Sequence, residues 1–169
     1  MFMNDYNSLT GRQTTWLVLL RVAIGWHFLY EGLVKVFNPS WSPLGYLMDS
    51  KGWFAPLFYS MASNSGVLAV VDFLNQWGLV LIGLGLILGV FTRLATASGM
   101  LLLVFYYLSH PPFTGVNYAL PSEGSYFIVD KVVIEFLALG VLLFFPTGHI
   151  IGLERLFSGK NRKTPQNNG

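Results

Sequence analysis

Apolar residues in this chain come in long unbroken runs, not in the alternating or one-sided patterns of a water-soluble fold. Four runs stand out, over residues 15–37, 67–91, 94–109 and 126–145. The first stops at Asn38-Pro39, the third at His110-Pro111-Pro112 and the fourth at Pro146, where helix propagation fails. A helix needs about 20 apolar residues to cross the hydrocarbon core. The third run is short, and Arg93 can extend it by snorkelling to the interface. Helices are the only suitable element, because open strands leave backbone groups unpaired in lipid, and continuous runs lack the alternation of barrel strands. The pattern predicts an all-α membrane protein, a four-transmembrane-helix bundle ending near residue 157. A basic, polar, disordered tail is expected over residues 158–169.

The segments between runs differ in character. Residues 38–66 are too interrupted to span but rich in Trp, Phe, Tyr and Leu, and GWFAPLFYSMA within them predicts an interfacial helix. This loop reads either as a membrane-anchored connection or as a lid over a lipid-facing site. The second loop, HPPFTGVNYALPSEGSY, has no basic residue. Gly85 and Gly89 form a GxxxG spacing, read as ordinary close packing inside the bundle in preference to a dedicated dimer motif.

Composition sharpens the class. Charged residues make up only 11% and hydrophobic residues 53% of the 169 positions, against about 25% charged in soluble domains. The absence of cysteine excludes disulfides, thiolate metal sites and a cysteine nucleophile. The polar N-terminus carries Asp5 and does not resemble a cleavable signal, so the first run is expected to be a retained span. Arg12, Arg93, Arg155, Lys160, Arg162 and Lys163 fall on one side if both termini share it, while Lys35 and Lys51 fall on the other. The positive-inside rule then places both termini in the cytoplasm of a cell whose inner (plasma) membrane holds the chain. The lipid bilayer is the obligatory partner. A second protein subunit or a homo-oligomer is the further partner expected, and a basic tail without interleaved aromatics does not suit nucleic acid.

Ionisable residues inside the runs are the candidate chemistry, because each is costly in lipid. On the first helix His27, Glu31 and Lys35 recur at i, i+4, i+8, and Arg21 falls in the same sector, about 120° wide. That face should point into the bundle. Arg21, nearer the cytoplasmic end, is expected to snorkel inward. Asp72, Asn75 and Gln76 on the second run, His110 at the end of the third, and Asp130, Lys131 and Glu135 on the fourth fall toward the outer leaflet with Glu31 and Lys35. An excess of carboxylates in one layer requires that at least one be protonated or wet. Such a layer is either a functional polar pocket or a set of ion pairs fixing helix register. Glu31, Asp72, Asp130 and Glu135 are the candidates for proton handling. Lys35, Lys131, His110, His27 and Asn75 are the candidates for binding or orienting an anion or a carbonyl oxygen. No metal-ligand cluster, Walker loop, dinucleotide fingerprint or serine triad is present. His27 and His110 fall at different depths, which does not suit a bis-His haem.

LLRVAIGWHFLYEGLVKVF, GLVLIGLGLILGVFTRLATASGMLLLVFYYLSHPP and VDKVVIEFLALGVLLFFPTGHIIGLERLF together resemble the DoxX-like family in order and spacing. The resemblance covers about residues 21–157, with Glu154 in place of a more usual Asp. The long aromatic first loop is similar to the DoxD branch, the membrane subunit of thiosulfate:quinone oxidoreductase. The resemblance implies a four-helix inner-membrane domain over residues 1–157, quinone as electron acceptor, and a second subunit. The alternative is a non-enzymatic membrane anchor or assembly partner of a redox or envelope complex. A small solute or proton transporter is less well suited, since inverted repeats and broken helices are not evident.

Overall fold

The computed structural model describes residues 9–119 and 127–155. The basic tail expected over 158–169 lies outside the described residues. Every regular element among the described residues is helical.

Helix α1 runs Gly11–Val36, starting earlier than the apolar run because Thr10 and Gln13 form a reciprocal capping box. The first loop carries α2 (Leu44–Met48) and α3 (Ala55–Ser63), the latter opened by a proline in its first turn. A helix is thus present where the aromatic segment predicts one, and Trp53 just before it is 92% exposed. The second run begins as α4 (Ser65–Phe73), capped by the Asn64 side chain. It passes through a π turn at Leu74–Gly78 and continues as α5 (Leu79–Leu88). Two stretches, Gly11–Val36 and Ser65–Leu88, are long and apolar enough to cross a membrane.

Gly89 ends α5 in the left-handed region, φ 67°, where glycine has no Cβ penalty. The second helix therefore stops short of the run's end at 91. Helix α6 follows as Thr92–Ser109 and α7 as Lys131–Phe144. Helix α7 starts later than the fourth run. Asp130 is its N-cap and accepts from the Val133 amide at 2.9 Å, and Phe127 before it has φ 65°. Asp130 thus stands at the head of α7 as its N-cap.

The four long units close a ring: α1 packs on α5, α5 on α6, α6 on α7, and α7 on α1. The core is apolar, built on Ile24, Phe28, Ile82, Leu86, Leu103 and Leu139. The closest helix approach is made by Gly25 and Gly32 of α1 against Gly83 of α5. A Cβ on Gly83 would lie 2.5 Å from the Leu29 amide nitrogen and 2.7 Å from the Gly25 carbonyl. Gly85 instead faces Ala95 of α6, a contact within the bundle. A smaller cluster of Leu47, Phe58 and Ala62 with Leu108 seats the first loop on the end of α6.

At the opposite end, residues 145–155 fold back over the α5–α6 turn. The amides of Leu153 and Glu154 donate to the carbonyls of Leu88 and Gly89, each at 3.0 Å. Arg21 corrects the snorkelling expectation. It is 3% exposed and donates from Nη1 to Thr147 Oγ1 at 2.9 Å and from Nη2 to the Ile151 carbonyl at 2.7 Å. The fold-back brings acceptors to the guanidinium, so it is solvated by protein in place of water.

Candidate functional site

The spacing puts His27, Glu31 and Lys35 on one side of α1, but that side does not turn into the bundle as expected. The buried face carries Ile24, Gly25, Phe28 and Gly32, while His27 and Glu31 are exposed. Lys35 Nζ lies 3.0 Å from Glu31 Oε2, one turn away, in the favourable acid-before-base order. His27 reaches across to α7, with Nδ1 2.8 Å from Glu135 Oε1. Lys131 lies within electrostatic range of both His27 and Glu31. Four of the candidate residues on α1 and α7 thus gather with His27 in one acid–base cluster.

Exposure across that cluster is uneven. Glu135 and Lys35 are 13% and 15% exposed, whereas His27 and Glu31 are 48% and 50% exposed. The cluster therefore lies open along the seam between α1 and α7, not in a sealed network. When Nδ1–H donates to the carboxylate, the neutral imidazole carries its lone pair on Nε2. That arrangement can accept a proton at Nε2 while Glu135 stabilises the imidazolium. Trp26 and Tyr30, both more than half exposed, flank the open side of α1.

The other candidates do not enter this cluster. Asp72 Oδ1 accepts from Gln76 Nε2 at 2.7 Å, one turn along its own helix. Asn75 Nδ2 donates to the Val71 carbonyl, and its Oδ1 accepts a 2.6 Å bond from the Tyr106 hydroxyl. This bond ties the π turn to α6. Asp130 is used as a helix cap. Beside the α1–α7 cluster, Asp72, Asn75 and Asp130 thus make hydrogen bonds of their own.

His110 belongs to a second cluster, where the loops meet α6. Its ring stacks on Tyr46 at 3.9 Å between centroids and faces Tyr118 at 4.6 Å. Nδ1 lies 3.0 Å from Ser109 Oγ, which in turn bonds Ser50 Oγ. Nε2 is buried without a hydrogen-bond partner, 3.9 Å from Asp49 Oδ2. Asp49 also accepts from the Ala119 amide at 2.8 Å and has Lys51 Nζ 3.9 Å from its other oxygen. Burial, with help from Lys51, pulls the His110 pKa down against the opposing charge of Asp49. Burial pushes the Tyr46 hydroxyl up, and burial followed by the Asp49 charge pushes Tyr118 up to about 12. The cluster is an aromatic lock that joins the first loop to the end of α6 and the loop after it. Ser50 and Ser109 are 0% and 1% exposed, so a nucleophilic role is closed to them.

Sequence reasoning missed Tyr46, Asp49, Tyr106 and Tyr118. The available signal was a lone Asp-Ser-Lys in an otherwise aromatic loop. Ser109 lies 59 positions from Ser50 and Ala119 lies 70 from Asp49, and no local spacing announces them. Among the described residues no group of three or more metal-ligating side chains occurs.

Comparison with known proteins gives one match. A family model described as DoxX matches residues 16–111, which cover α1 through α6 and reach His110 but not Glu135. No curated protein matches, and no solved structure matches. With more than half of its 169 residues matched by the family model, the chain belongs to the DoxX family.

Proposed function

We propose that the chain is a four-span inner-membrane protein of the DoxD branch, with both termini cytoplasmic, acting as a quinone-linked oxidoreductase subunit. The observation that carries this reading is the His27–Glu135 pair, 2.8 Å apart. It joins a membrane-crossing helix to α7 and lies open on the side of α1. Reducing a quinone takes two electrons and two protons, so the ring needs a proton-bearing group within reach of lipid. Once protonated at Nε2, His27 is such a group, Glu135 holds the imidazolium and its charge, and the Glu31–Lys35 pair offers a relay one turn further along. Lys131 adds positive charge that favours an anionic reduced ring. Asp72 and Asp130, engaged in a local bond and a helix cap, have supporting roles in this reading. The electron donor is of the thiosulfate class, delivered with a second protein subunit.

The test is quinone reduction by the protein purified from native membrane with its co-purifying partners, supplied with thiosulfate and a soluble quinone analogue. Turnover that falls at least tenfold in Glu135→Gln, the scale of losing a positioned acid–base group, supports the reading. No turnover across reduced-sulfur donors sinks it. The half-exposed His27 and Glu31 also favour a second reading, in which a partner protein covers that face and the chain serves as an anchor. A stoichiometric partner whose activity survives Glu135→Gln would decide for the anchor.

A further inference from the structure

A cavity of about 660 Å³ opens between α5 and α6, on the far side of the ring from the α1–α7 seam. Its floor is made of small residues, Gly78 and Gly85 from α5 and its π turn, and Ala95 and Ser98 from α6. Leucines from both helices, such as Leu81 and Leu94, form its walls and are 65% and 67% exposed.

Gly78 is the informative position. Its backbone is ordinary helix, φ −59° and ψ −47°, so no left-handed geometry requires glycine. A Cβ there would meet nothing within 4 Å, so no contact within the chain requires it either. Glycine in a helix costs about 0.5–1 kcal/mol relative to alanine. The space beside Gly78 is thus open, and it lies along the groove.

The groove is also polarised. Across residues 78–105 Arg93 is the one charged side chain. It is exposed at the turn end of the groove, between Phe91 and Leu94, which both line it. A long apolar trough with a guanidinium at one end matches an amphiphile with an apolar chain and a phosphate. Arginine meets phosphate through paired N–H donors.

We propose that this groove is a binding site for an anionic phospholipid, one acyl chain lying over Gly78 and Gly85 and the headgroup phosphate against Arg93. The proposal does not depend on the quinone reading.

The test is native mass spectrometry of the purified full chain supplied with equal amounts of palmitoyl-oleoyl phosphatidylglycerol and phosphatidylcholine. The wild type should retain the anionic lipid in excess by about fivefold, the scale of one basic residue at a membrane surface. Arg93→Gln should level the two lipids, while Arg12→Gln, at the same end of the bundle but on α1, should keep the excess. Gly78→Leu should lower retention of both lipids with circular dichroism unchanged, and Ser98→Leu provides a second obstruction should the first variant fail to fold. Equal retention by the wild type overturns the proposal. So does wild-type retention in both groove-filled variants, displacement of the phospholipid by a quinone, or Gly78→Cys chains cross-linking to one another across the groove.

Discussion

Arg21 and Thr147 stand 126 positions apart and share a 2.9 Å hydrogen bond donated by Nη1. The guanidinium is otherwise met by the Ile151 carbonyl, with the charge of Glu154 acting through space. Glu154 itself accepts from Thr92 Oγ1 at 3.0 Å. One buried cation thus fastens the first helix, the α5–α6 turn and the segment after α7. Arg21→Lys keeps the charge but loses the fork, leaving Thr147 or Ile151 without its donor. We expect a loss of about 2–4 kcal/mol, the scale of a broken buried charged hydrogen bond. Denaturant unfolding in detergent checks this, and a variant as stable as wild type would refute the clasp.

Gly83 and Gly78 should respond in opposite directions to the same change. A Cβ on Gly83 meets backbone of α1 at 2.5 Å and 2.7 Å, which cannot yield cheaply. Gly83→Ala should cost about 1–3 kcal/mol through forced separation of α1 and α5. Gly78→Ala meets nothing within 4 Å and should stabilise by up to about 1 kcal/mol through helix propensity. Thermal unfolding of the two single variants settles the comparison, and equal effects would contradict the crossing described above.

His27 and Glu135 should behave as one unit. His27→Gln, Glu135→Gln and the double variant form a cycle in which the second substitution costs less than the first. A coupling on the order of 1 kcal/mol is expected for directly bonded groups. Measured in quinone turnover, the coupling speaks to chemistry; measured only in unfolding, it speaks to structure. Strict additivity in both would mean that the 2.8 Å contact has no energetic content.

His110 predicts a pH dependence at the loop end. Its pKa in the fold lies below the ordinary value of 6.5, and the groups facing it are Asp49, Lys51, Tyr46 and Tyr118. Below 6.5 the unfolded histidine binds a proton that the folded one resists, so the unfolded chain holds more protons there. Stability is full above that value and declines as pH falls toward the lowered folded pKa. His110→Gln should flatten this slope. The midpoint of thermal unfolding followed from neutral to mildly acid pH in both chains tests it, and a wild-type midpoint that rises on acidification would reverse the sign.

Features set by local periodicity were legible in the chain. The apolar runs located the helices, and the i, i+4, i+8 series put His27, Glu31 and Lys35 on one side of α1, although that side opens beside α7 and does not turn into the bundle. What failed was non-local or terminal. Asp130 reads as an acid of the fourth apolar run, and its bond to the Val133 amide follows from where α7 begins, since a carboxylate at that place satisfies a free amide. Asp72 and Asn75 share a helix and yet serve different partners, since the π turn between α4 and α5 shifts the angles that a 3.6-residue period predicts. The aromatic lock around His110 joins the first loop to the end of α6 and the segment just after it, far from that loop in sequence. Arg21 had the right end of the helix but the wrong surroundings, because its acceptors come from the fold-back after α7.

The π turn at Leu74–Gly78 gives the second helix one residue more than a regular α-helix of the same path would hold. Removing a single residue there would leave a continuous helix, still apolar and still long enough to cross the bilayer. It would, however, turn everything on the α4 side by about 100° relative to α5. The Asn75–Tyr106 bond would be lost, and the loop seated through Phe58 and Leu108 would be driven from its place. The extra residue works as a phase setting. It lets one helix obey two packing registers, one for the bundle and one for the loops above it.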